Sequence, residues 1–169
     1  MTNQYVFNSA VDLLCFIEEK SREEDTTVSN IRFNLTLYFL YAYYSVVYRN
    51  SVYPEELFPA VFVGSPYGPI ESNFTELYAR DDYYSIVLKE KDMSNNLMDH
   101  EIKTWMDGFL EDLSKHNDFA LVDRSHEDDC VIRAMPQEQS LKVLIPNESI
   151  RLEYRDKYKQ ENEEDELND

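Results

Sequence analysis

The chain has 169 residues, 43% of them apolar and 14% aromatic, and a formal net charge of −18. A single domain of this length buries roughly two-thirds of its unfolded surface, so it needs neither disulfides nor a structural metal to fold. The charge excludes the basic footprint that binding to nucleic-acid phosphates requires, and three glycines (Gly64, Gly68, Gly108) are too few for a turn-rich β-sandwich or a glycine-rich phosphate loop.

Residues 1–5 show neither a basic segment nor an apolar core, which predicts no signal peptide. Val6, Ala10, Leu13, Leu14 and Ile17 recur at helical spacing and predict an amphipathic first helix ending in the charged run 18–25. Ser29 or Asn30 is placed to cap a second helix over about residues 31–49. That helix is apolar on most faces and is expected at the centre of the core. Arg32, Asn34, Thr36 and Ser45 interrupt it, so it does not read as a membrane span. Its tyrosines read as core and core-edge residues, each needing a partner for its hydroxyl.

Pro54 and Pro59 bracket a loop, and residues 60–63 (Ala-Val-Phe-Val) predict one short strand. The run Gly64-Ser65-Pro66-Tyr67-Gly68-Pro69 is the strongest breaker in the chain. Gly68 suits a positive φ and Pro69 suits a first helical turn. Ile70, Phe74, Leu77 and Tyr78 then predict a third helix. Residues 81–92 read as a loop with a short helical insert. Ile102, Trp105, Met106, Phe109, Leu110 and Leu113 mark a helix over about 98–116.

Ser125-His126-Glu127-Asp128 matches a capping box opening a short helix to about residue 135. Leu141, Val143 and Ile145 predict a second strand paired with residues 60–63. A last helix begins at 146–148, with Ile150, Tyr154 and Tyr158 on one face. The acidic tail from residue 159 has the composition of a disordered segment. No internal repeat is visible.

Chemistry-bearing motifs are sparse. His100, His116 and His126 are far apart, and no metalloprotease, nucleophile-elbow or P-loop pattern occurs. Cys15 and Cys130 lack C-x-x-C spacing, fit a reducing cytosol, and exclude the usual zinc and redox motifs. His126, Asp128 and Asp129 are a candidate cation cluster whose simpler reading is a helix N-terminus. The carboxylate pairs Glu55/Glu56 and Asp81/Asp82 are the acid–base candidates, a pairing expected by chance among 34 acidic residues. The turn at 64–70 reads either as a connector from strand to helix or as a stiff loop displaying Tyr67.

Taken in order, these segments resemble the Panacea-domain family of SocA-like antitoxins and phage-associated proteins. Asn34-Leu35-Thr36-Leu37-Tyr38-Phe39 resembles the family's core helix, and Tyr67-Gly68-Pro69-Ile70 its Y-G-P-V step. Leu121-Val122-Asp123-Arg124-Ser125-His126-Glu127-Asp128 resembles its Ser/Thr-His-acid element, and residues 146–154 fall at its last helix. The resemblance spans about residues 5–158.

It implies a mainly α fold: a compact multi-helix domain over residues 1–158, with a small two-stranded β element and the tail 159–169 outside it. It also implies a non-enzymatic cytoplasmic protein, with no cofactor or metal, that neutralises a toxin by direct contact. Tyr67, Gly68, Pro69 and Ile70 would organise the contact, with His126 and Asp128 beside them. The −18 charge carries an alternative: a phage-encoded inhibitor, of anti-CRISPR or anti-restriction type, that blocks a basic nucleic-acid-binding host protein. In either case the partner is a protein, with no direct contact to nucleic acid or membrane.

Overall fold

Residues 33–42 are buried without interruption, which takes in every face of more than two helical turns. They belong to α2 (Asn30–Val47), the helix around which the rest of the chain is arranged. The computed structural model describes residues 4–23, 28–82, 99–138 and 141–167, without the side chains from 160 onward. Most of the loop expected over 81–92 therefore lies outside the described residues.

Around α2 stand α1 (Ala10–Glu23), α3 (Ser72–Tyr78), α4 (His100–Ser114), α5 (Asp118–Ser125), α6 (Asp129–Arg133) and α7 (Asn147–Leu167). Three two-residue strands complete the fold: β1 (Phe62–Val63), β2 (Ile70–Glu71) and β3 (Leu144–Ile145). The architecture is mainly α. No described helix is long and apolar enough to cross a membrane.

Local chemistry explains most of the boundaries. Ser29 caps α2, its hydroxyl accepting from the Arg32 N–H at 3.0 Å. Asp99 caps α4 by accepting from the N–H groups of Glu101 and Ile102. Leu13, Leu14 and Ile17 turn α1 toward the core, while Val6 precedes the helix rather than joining it. The core face of α4 is Ile102 and Met106, with Trp105 and Phe109 packed at its edge. The final helix α7 runs through the expected boundary at residue 158 and continues to Leu167.

The sheet corrects two expectations. It has three antiparallel strands in the order β2-β1-β3, not two. Pairing of β1 with β3 follows the predicted partnership, in the register Phe62↔Ile145 and Val63↔Leu144. The additional strand is Ile70–Glu71, which the spacing had assigned to the start of α3. The cause is Glu71. Its backbone is extended (φ −84°, ψ 117°) and its carboxylate accepts from the Phe74 N–H at 2.6 Å, so it is the N-cap of α3 and stands outside the helix.

A further correction concerns Ser125. It is the last residue of α5, a helix capped by Asn117 that the sequence pattern did not separate from its surroundings. Asp128 occupies the N-cap position of α6 but makes no side-chain cap bond there. The capping box therefore does not form, and the carboxylate is used elsewhere.

Gly64 marks the closest approach between the hairpin and α6. A Cβ there would stand 1.9 Å from the carbonyl oxygen of Ala134, a backbone atom that cannot swing aside. Gly108 is the converse, an exposed helical glycine with nothing within 4 Å of an added Cβ. Gly64→Ala is expected to lower unfolding free energy by about 3 kcal/mol, the upper range for overpacking. Gly108→Ala should raise it by about 0.5–1 kcal/mol through helix propensity. Urea denaturation of the two variants against the parent measures both.

Candidate functional site

The turn joining β1 to β2 is held by its own polar atoms. The Ser65 hydroxyl donates to the Gly68 carbonyl at 2.8 Å and accepts from the Tyr67 N–H at 3.1 Å. The Gly68 N–H donates to the Ser65 carbonyl at 3.1 Å. Gly68 has φ +97°, a conformation that favours glycine. Even without that strain an added Cβ would meet the Ser125 hydroxyl at 2.7 Å and the Leu35 side chain at 3.1 Å. Tyr67, between these fixed points, is 62% exposed.

Gly68 thus presses on the end of α5, and the structure brings the Tyr-Gly-Pro-Ile step against the Ser-His-Glu-Asp element. The expected site residues differ in access. Tyr67 is exposed, Ile70 and His126 are half-buried, and Gly68 and Pro69 are buried. The Nε2 atom of His126 is buried without a hydrogen-bond partner. Asp128 is fully buried and faces the core, so its carboxylate is unavailable to an outside partner in this arrangement.

The Asp128 carboxylate is a hub. Oδ2 accepts from the Tyr38 hydroxyl at 2.7 Å and from the Tyr154 hydroxyl at 2.5 Å. Oδ1 accepts from Arg124 Nη1 at 3.1 Å and Lys157 Nζ at 2.5 Å. One buried charge therefore joins α2, α5 and α7 at the mouth of α6. Two cations reach in from a partly exposed rim to neutralise it. Glu153 completes the junction by accepting from the N–H groups of Asp129 and Cys130, the cap that α6 does not get from Asp128.

This environment shapes the titrating groups. Desolvation first pushes the hydroxyls of Tyr38 and Tyr154 far above the ordinary tyrosine range, helped by Tyr154 and then Asp128 for Tyr38 and by Asp128 for Tyr154, so both remain donors. Burial pushes the Cys130 thiol up to about 11, opposed by its hydrogen bond with the Tyr38 hydroxyl. Such a thiol is a poor nucleophile near neutrality. Desolvation works to lower Lys157, but the bonds to Asp128 and Glu153 prevail and hold its ammonium above the ordinary lysine value.

Three of the four acid–base candidates are paired with cations. Glu56 accepts from the Tyr41 hydroxyl at 2.7 Å and pairs with Arg151 at 2.8 Å, while Glu55 pairs with Arg155. Asp82 pairs with Arg80. The His126-Asp128-Asp129 cluster is split, with Asp129 exposed and Asp128 already facing two cations that would repel a metal ion. Among the described residues no group of three or more His, Cys, Asp or Glu side chains is placed to hold a metal.

Sequence reasoning missed Arg124, Glu153 and Lys157 as parts of one cluster. The available signal was the rule that buried tyrosines need partners, applied to Tyr38 and Tyr154 together. No family model, curated protein or solved structure matches the chain.

Two buried carboxylates, Asp128 and Glu71, each give a test. Asp128→Ala leaves two buried hydroxyls and two part-buried cations without their acceptor. It is expected to cost about 3–5 kcal/mol of stability, whereas Tyr38→Phe removes one bond to a charged group and should cost about 1.5–3 kcal/mol. Equilibrium urea unfolding reads both, and an unchanged midpoint for Asp128→Ala would remove the carboxylate from the role of structural hub.

The second prediction concerns Glu71, fully buried beneath the hairpin. Desolvation raises its carboxyl above the ordinary glutamate value of 4.5, partly offset by N–H donors from Phe74 and Val61. A raised carboxyl binds more protons in the folded than in the unfolded protein just above that pH. Stability should therefore fall as pH rises through the window between the unfolded and folded values. Glu71→Gln should flatten that part of the stability–pH curve, measured by thermal unfolding across the acidic range.

Proposed function

We propose that this is a non-enzymatic, antitoxin-like domain that sequesters a protein partner by direct contact, with the 64–70 turn at the centre of the contact. The observation that carries the reading is Tyr67, an aromatic 62% exposed on a turn whose neighbours are fixed by hydrogen bonds and close packing. A large side chain already held in place loses little freedom on binding, which is the property of a contact hot spot. The resemblance of Tyr67-Gly68-Pro69-Ile70 and of the Ser125–Asp128 element to the Panacea-domain pattern supports the same region. A cytoplasmic toxin is the partner this reading calls for.

Within this reading Gly68, Pro69 and Asp128 act from beneath the surface. Gly68 and Pro69 shape the turn. Asp128 fixes the α5–α6 junction on which the turn rests, leaving Tyr67, Ile70 and the exposed edge of His126 to meet the partner.

The net charge of −18 favours a second reading, an inhibitor that presents an acidic surface to a basic host protein. The surplus is compositional, 34 acidic residues against 16 lysines and arginines, and most described cations are already paired with carboxylates. The two readings differ in salt dependence. Exposed charges are screened over roughly 8 Å at physiological ionic strength, so contact by charge alone weakens steeply as salt is added.

The test is co-expression and direct binding with small proteins encoded beside this chain. Tyr67→Ala is expected to weaken a genuine complex by about ten-fold or more without moving the urea midpoint. Tyr67→Ala combined with Ile70→Asp should abolish toxin neutralisation in growth assays. Unchanged affinity in a folded double variant would refute the assignment of the turn, and binding lost on moderate salt alone would favour the acidic-surface reading.

A further inference from the structure

The three strands send one row of side chains inward and the next row outward. Phe62, paired with Glu71 on one side and Ile145 on the other, forms the inner row, and all three residues are fully buried. The adjacent register, Ile70–Val63–Leu144, forms the outer row. Leu144 is 57% exposed, and Ile70 and Val63 are half-buried. Val61, two residues before Val63 and so on the same face, is 41% exposed. The outer face of the sheet therefore carries four aliphatic side chains in adjacent positions. Tyr67 stands at the tip of the same hairpin.

We propose that this outer sheet face is the main docking surface, and that the partner presents an apolar segment flanked by lysines or arginines. The proposal rests on the binding role inferred above and extends its contact from the turn onto the sheet. The face itself is apolar, so its complement is apolar. The chain as a whole carries a net charge of −18, with most described cations already engaged by carboxylates.

A second copy of this chain would bring two such charges together over a face of only four aliphatic side chains. Like-charge repulsion of that kind selects against self-association and for a cationic partner. Lys142, exposed and two residues before Leu144, puts one cation at the edge of the face. At that point the partner's rim carries none.

The division of labour is kinetic. Charge accelerates encounter, and the apolar contact sets dissociation. Two synthetic peptides of equal positive charge serve as probes for the full chain, one with leucines and lysines on opposite faces of a helix, the other with glutamine replacing every leucine. The leucine peptide is expected to bind about ten-fold tighter or more. Its amide chemical-shift perturbations should centre on Val61, Val63, Ile70 and Leu144. Raising salt should slow association of the leucine peptide more than it speeds dissociation.

The double substitution Val61→Asn with Leu144→Asn, at two exposed positions where the fold should survive, is expected to reduce the leucine peptide to the affinity of the glutamine one. Equal affinity of the two peptides for the parent chain would overturn the proposal, as would perturbations scattered over the acidic surface. Dimerisation of the parent in sedimentation, lost in the double variant, would assign the face to a second copy and overturn it too. Perturbations confined to residues 65–68 would overturn the sheet face and leave the Tyr67 turn standing. Loss of binding in the sheet variant with none in Tyr67→Ala would support the sheet face and remove the turn from the contact.

Discussion

A helix buried on every side leaves no polar atom to water, and α2 imposes that constraint on the whole molecule. Each polar side chain along it must find its partner inside the protein or cost the full desolvation of an unmade bond. Asn34 accepts from the Glu71 N–H at 2.9 Å, which ties α2 to β2. Tyr38 reaches Asp128 at the α5–α6 junction, Tyr41 reaches Glu56 in the loop before β1, and Tyr44 donates to the carbonyl of Pro54. Four positions along one helix thus point to four different places in the surrounding shell. Apolar packing drives the burial, but it is tolerant of small slips. These bonds are not tolerant, and they set which residues face which.

The solution brings carboxylates into the interior, and they in turn must be neutralised. Asp128 draws Arg124 and Lys157 inward, and Glu56 draws Arg151. Two of these four chains of contact, those through Tyr38 and Tyr41, end on α7. That helix buries few large apolar side chains, chiefly Ile150 and Tyr154, and so its seat depends on polar contacts to an unusual degree. A consequence reaches the surface. The cations that neutralise Asp128 stay partly exposed, so each links a buried carboxylate to the surface.

The chain shows in its sequence those features that depend on periodicity and local caps. The buried α2 follows from its all-round apolar pattern, Ser29 from its capping chemistry, and the β1–β3 pairing from short β-branched runs bounded by breakers. Features that depend on tertiary bonds were not legible. Ile70 and Glu71 carry helical spacing toward Phe74, yet a single long-range acceptor on Asn34 and the capping carboxylate of Glu71 itself hold them extended. Ser125-His126-Glu127-Asp128 has the letters of a capping box, but Asp128 finds stronger partners in two tyrosines and two cations, and the cap passes to Glu153, 24 residues further along the chain from Asp129. Local pattern fails where a better partner arrives from far away in sequence.

The same competition explains why the turn at 64–69 is placed so firmly. Its own bonds, between Ser65, Tyr67 and Gly68, could form in a short peptide, where they would compete with water and hold little. In the folded protein Gly68 is pressed between Ser125 and Leu35, Gly64 lies against the Ala134 carbonyl, and the Gly64 N–H donates to Val143. The turn is therefore bounded by α2, α5, α6 and the chain entering β3. Three of these meet at or beside Asp128. Asp128 thus holds the α5–α6 junction against which Gly68, the residue after the exposed Tyr67, packs. Buried polar order and surface presentation are in this protein one arrangement, read from its two sides.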